Sequence, residues 1–203
     1  MKKITYSLFF AFIAISLFSQ SDLDKSILEA QGYIKEKNYK DAQIALQQAI
    51  GYLYELMGKD LIAALPLTLN DMTANTTEDV NNTTAMAMMG GGFNISRNYK
   101  TAANDGTSIE LNIAANSPLL SSITMMINNP MMLGSSSDAG KSTKIGNRRS
   151  LIKSKPADKT YELMIPLVNS LITINGNNIK DEASFLAYVN KLEIEKIARV
   201  LGE

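Results

Sequence analysis

Residues 93–113 read FNISRNYKTAANDGTSIELNI, and the hydrophobic period in this stretch is two. Phe93, Ile95, Arg97 and Tyr99 alternate with polar residues, and Ile109, Leu111 and Ile113 alternate with Ser108, Glu110 and Asn112. Between them lies Asn104-Asp105-Gly106, a turn sequence whose Asp-Gly step suits the positive φ of a tight hairpin. Side chains of a strand point to opposite faces in turn, so each arm offers one apolar face and one wet face. The stretch therefore predicts an antiparallel β-hairpin with Glu110 directed to solvent, in a sheet that needs a cover on its apolar side.

Further along, the pattern changes and then returns. Pro118 can open a helix with Ser117 as its N-cap, and Leu119, Leu120, Ile123, Met126 and Ile127 mark its inward face until Asn128-Asn129-Pro130 stops it. A Gly/Ser loop follows at 134–142. Lys144-Ile145, a Gly146-Asn147 turn, Ser150 to Lys155, Thr160 to Val168 and Leu171 to Asn175 read as three or four strands. Asp181-Glu182-Ala183-Ser184 opens a last helical region. Leu192, Ile194, Ile197, Val200 and Leu201 fall out of phase with Phe185, Leu186 and Val189, which calls for a bend near Asn190-Lys191.

Before the hairpin, residues 24–65 carry helical spacing with a break at Lys37-Asn38-Tyr39. The longer helix repeats Ala42, Ala45, Leu46, Ala49, Ile50, Leu53, Leu56, Met57, Leu61, Ala64 and Leu65 at three- and four-residue steps. That stripe is expected to be buried against a partner surface until Pro66 ends it. Residues 67–92, rich in Asn, Thr and Gly, read as a polar linker. The expected organisation is a signal peptide at 1–19, a helical hairpin at 20–66, the linker at 67–92 and a domain at 93–203 in β-β-α-β-β-β-α order. The class is α+β, an antiparallel sheet covered by helices.

Met1-Lys2-Lys3, the apolar run Ile4 to Phe18 and Ser19-Gln20-Ser21 have the layout of a secretory signal. As a helix the run reaches roughly 22 Å, short of the ~30 Å of a bilayer core. Cleavage near Ser19 gives a periplasmic or secreted protein. It also takes Lys2 and Lys3 from the 20 basic residues while leaving all 20 acidic ones. The chain has no Cys and no His, which removes thiol and imidazole nucleophiles, zinc sites and disulfides. The near-even charge argues against a nucleic-acid binder.

Ala30 to Ala42, with Ala45, Leu46 and Ala49, resembles a single tetratricopeptide-type hairpin, in which small Ala positions let two helices approach and a Tyr fills the turn. From Phe93 to Gly202 the order of elements resembles the PsbP/DcrB-like α+β fold; the turn at Lys144 to Ser150 and the closing strand and helix carry that likeness. The whole chain, including Met88 to Gly92 and Asn129 to Met132, is similar to a family of uncharacterised exported bacterial proteins. The resemblance implies an address and a fold.

Gly140-Lys141-Ser142-Thr143 imitates the end of a phosphate loop, but Gly134 lies six positions upstream where five are needed and a strand is expected next, so no nucleotide is assigned. Thioether sulfur is a soft ligand for Cu(I), which makes Met86, Met88, Met89, Met131 and Met132 candidate metal ligands. The same residues would also serve as adaptable apolar contacts. Lys141, Lys144, Arg148, Arg149, Lys153, Lys155 and Lys159 concentrate positive charge. Lys144, Arg148, Arg149 and Lys153 could meet anionic headgroups, or the lysines could simply protect a sheet edge. The reading is a non-catalytic envelope protein without cofactor that binds another envelope protein. Tyr33, Lys37, Tyr39, Tyr52, Met88 and Met89 form its candidate partner surface. A periplasmic Cu(I)-binding protein is the alternative, and a small-ligand or lipid carrier the second.

Overall fold

A computed structural model describes residues 21–81, 92–103, 105–129 and 140–203. The chain is of the α+β class, with a helical hairpin followed by an antiparallel sheet and its helices, and it divides into two compact units.

Among the described residues, the first unit comprises 21–60 together with 92–93. Its hairpin consists of α1 (21–35) and α2 (Tyr39–Ala64), the latter running on past Asp60. The turn between them follows from backbone bonding at the end of α1. Lys37 N–H donates to Ile34 O at 3.0 Å and Asn38 N–H donates to Tyr33 O at 2.9 Å, with Lys37 left-handed at φ 58°. This is the Schellman arrangement, which satisfies carbonyls the helix would otherwise leave open. Asn38 then starts α2: its Oδ1 accepts from Asp41 N–H at 3.5 Å and its Nδ2 donates to Asp41 Oδ2 at 2.6 Å. Small residues on one face of each helix are buried: Ser26 and Ala30 on α1, and Ala42, Ala45 and Ala49 on α2. Phe93 is buried too, its ring 5.5 Å from that of Tyr54 and tilted by 58°.

The second unit holds Leu61–Asn81 and Asn94–Glu203. Its strands are β1 (Thr68–Leu69), β2 (Met72–Ala74), β3 (Val80–Asn81), β4 (Asn94–Thr101), β5 (Ser108–Ala115), β6 (Lys141–Ile145), β7 (Arg148–Lys155), β8 (Thr160–Pro166) and β9 (Ser170–Asn177). They pair antiparallel in the order β1-β2-β4-β5-β9-β8-β7-β6, with β3 also on β4. Within the stretch whose composition reads as a linker, residues 68–81 thus supply three short strands. The helices are α3 (Leu120–Asn128), α4 (Glu182–Val189) and α5 (Ile194–Val200). Asp181 caps α4 by accepting from Ser184 N–H at 2.7 Å, and α4 and α5 are separated by the expected bend at 190–193. The cap expected at Ser117 is displaced: α3 begins at Leu120, and Ser117 Oγ accepts from Leu119 N–H in the preceding turn at 3.3 Å. Leu119 is consequently 57 % exposed and does not join the inward face.

Register decides what each sheet face carries. Ile109, Leu111 and Ile113 share a face with Gly176, Ile174 and Ile172 of β9 and with Tyr161, Leu163 and Ile165 of β8. Phe185 of α4 stacks on Tyr161, with ring centroids 5.5 Å apart, and lies so close to Gly176 that an added Cβ would sit 2.7 Å from its ring. On the opposite face Ile123 and Ile127 of α3 pack with Leu151, Met164 and Leu171. A nine-residue helix spans only about 13 Å. Further along that face the described side chains Glu110, Asn175, Glu162 and Lys153 are polar and half-buried.

Candidate functional site

Three regions of the described residues merit a functional reading, and the hairpin is the first. Ala42, Ala45 and Ala49 take the buried side of α2, whereas Leu46, Ile50 and Leu53 are 45–46 % exposed. This corrects the expectation of one fully buried stripe. A helix approaches its neighbour most closely along its smallest side chains, and the branched residues beside them are left outward. Ile27, Leu28, Ile34 and Ile44 are exposed as well. Of the expected contact residues, Lys37 is exposed, Tyr33 and Tyr52 are half-buried, and Tyr39 is 67 % exposed and so does not fill the turn. Met86, Met88, Met89, Met131 and Met132 lie outside the described residues.

The second region is the β6–β7 hairpin, where the cationic run falls. The Gly140–Thr143 sequence enters β6 directly, with Lys141–Thr143 in strand. β6 is an edge strand, and three of the seven cations of the run are paired with carboxylates. Lys141 pairs with Glu182 at 2.8 Å, Lys153 pairs with Glu162 at 3.2 Å, and Arg148 donates from Nε and Nη2 to the two oxygens of Glu195, each at 3.0 Å. Those bonds from Arg148 hold the Glu195 carboxyl below its ordinary pKa. Of the four residues expected to face headgroups, Lys144 and Arg149 are left without a carboxylate among the described residues, and they stand directly opposite each other.

The third region is the open part of the second sheet face, which sequence reading does not single out. Asn98, Glu110, Asn175, Glu162 and Lys153 occupy one row across five neighbouring strands. Glu110 points away from the apolar face, as expected, and accepts from Asn175 Nδ2 at 3.4 Å. A cavity of about 490 Å³ opens here, floored by side chains of β5, β7, β8 and β9.

A buried polar cluster supports the sheet from its other face. Arg97, 3 % exposed in its side chain, meets Asp79, 10 % exposed, with Nη2 to Oδ2 at 2.6 Å and Nε to Oδ1 at 3.0 Å. Its Nη1 donates to Leu65 O at 3.1 Å, and Tyr99 Oη donates to Pro66 O at 2.9 Å. Burial pushes the Tyr99 phenol up to about 12, against the opposing pull of the neighbouring Arg97 cation. Burial also works against the Arg97 charge, but hydrogen bonding and attraction from Asp79 outweigh it and the pKa rises.

No family model, curated protein or solved structure matches the chain. Functional reading therefore rests on the molecule's own surfaces. Among the described residues no helix is long and apolar enough to cross a membrane, and no group of three or more acidic side chains converges as a metal site.

Proposed function

We propose that this is an exported, non-catalytic accessory module of the bacterial envelope that binds an amphipathic helix of another envelope protein along the outer side of its hairpin. The exposed row Leu46, Ile50 and Leu53 carries the reading. These residues recur at steps of four and three, the spacing at which one helix presents anchors to another. An exposed apolar patch of this kind on a folded hairpin has its commonest use in association. Lys37 and Tyr39 at the turn supply the charged and aromatic margin that interface edges favour.

Site-specific photocrosslinking in cells tests the proposal. A crosslinker at position 46, 50 or 53 should capture one and the same protein, and the adduct should vanish in a Leu46→Asp, Leu53→Asp double variant. A crosslinker at Asn112, on the sheet, should not capture it. Equal capture from the hairpin and from position 112, or no loss in the double variant, would sink the reading.

A further inference from the structure

Among the described residues, the polar sheet face bears two charges that pair with no neighbour. Between them lies the cavity of about 490 Å³, a volume within the ordinary range for small-ligand sites. Lys153 and Glu162 line it and neutralise each other at 3.2 Å. Asn175, on the strand between Glu110 and Glu162, is uncharged. Among the described residues Glu110, at one side, forms no ion pair and receives the long 3.4 Å bond from the Asn175 amide. Lys155 on the other side, also lining the cavity, has no carboxylate partner among the described residues. The residual field is therefore a dipole, negative at β5 and positive at β7.

From this geometry we infer a second binding site, independent of the hairpin, that takes a short peptide with both termini free. The ammonium end faces Glu110, the carboxylate end faces Lys155, and the amides between them meet Asn175 and the backbone at the rim. Opposite unpaired charges at the two sides disfavour a ligand of one sign, because whichever end it satisfies, the other repels it. The floor is built of polar side chains, which disfavours a lipid tail. Size agrees. Strands lie about 4.8 Å apart, so β5 and β7 are roughly 14 Å apart across β9 and β8, and because Lys155 lies two residues beyond the row of Glu110 the two Cα positions are roughly 16 Å apart. The two side chains reaching inward shorten that span to the order of the ~10 Å of an extended tripeptide.

Calorimetric titration of the purified protein with triglycine tests the site. Saturable binding is expected, weaker by about tenfold or more for N-acetyltriglycine amide, which lacks both charges. Glu110→Gln and Lys155→Gln should each weaken triglycine binding by about tenfold, while the exchange Glu110→Lys with Lys155→Glu should restore it to within about threefold with the peptide reversed. Both positions lie on the outer face of the sheet, so unchanged circular dichroism will show that the variants fold. The site is refuted by lack of saturable binding up to about 10 mM. Binding indifferent to blocking of the termini refutes it too, as does loss in the exchanged pair equal to that in both single variants.

Discussion

At the scale of single residues, two backbone and side-chain positions make measurable claims. Lys37 holds φ 58° to close the hairpin turn, a region where an L side chain crowds its own carbonyl at about 1–2 kcal/mol and glycine does not. Lys37→Gly should raise stability by about 1 kcal/mol, read as a rise of roughly 2–4 °C in the melting temperature. Tyr99 makes the second claim. Its phenol ordinarily loses its proton near pH 10 and in the folded protein does so near 12. Between those values the unfolded chain holds fewer protons than the folded one. Stability is therefore intact below about pH 10 and falls as pH rises toward 12. Urea titrations at a series of alkaline pH values should show this fall, and Tyr99→Phe should reduce its slope.

Elements are held together by a few polar contacts that sequence patterns do not announce. Arg97 reads, correctly, as an inward-alternating position of β4, but its partner Asp79 sits in a polar stretch with no periodicity, and pairing of β2 and β3 with β4 brings that stretch alongside. Removing one member of such a pair strands a buried charge. Asp79→Ala should cost about 3–5 kcal/mol, and Arg97→Met with Asp79→Leu should recover much of it, since apolar replacements of both partners satisfy the site. A double-mutant cycle by chemical denaturation measures this. The same limit explains what was legible. The alternation at 93–113, the Gly146-Asn147 turn, the Asp181 cap and the bend after Val189 are local signals and recur in the structure. The strands at 68–81 are two or three residues long, too short to display a period. On α2 the sequence presents alanine and leucine positions as one broad stripe, whereas Ala42, Ala45, Ala49, Leu61 and Leu65 are buried and Leu46, Ile50 and Leu53 are not. The row Glu110, Asn175, Glu162 and Lys153 is assembled from four strands, so no window of sequence contains it.

For the whole molecule the decisive join is β5 against β9, at the middle of the strand order. Eight residue pairs from Ser108↔Asn177 to Ala115↔Ser170 make that join, and β9 also carries β8 on its other side. A chain ended at residue 169 should lose cooperative unfolding of the sheet, because β4–β5 and β6–β8 would be separate antiparallel pieces with open edges. Hydrogen exchange of β5 amides in that truncation should approach unprotected rates, and retained protection would contradict the claim. The position of this strand also sets a schedule. The two halves of the central seam lie roughly 60 residues apart, and a ribosome adding about 5–20 residues per second needs about 3–12 s to bring the second half out after the first. For that interval β5 presents an unpaired edge to every neighbour in the cell, so a chaperone that shields nascent strands has its clearest opportunity there, before β9 arrives to close the sheet.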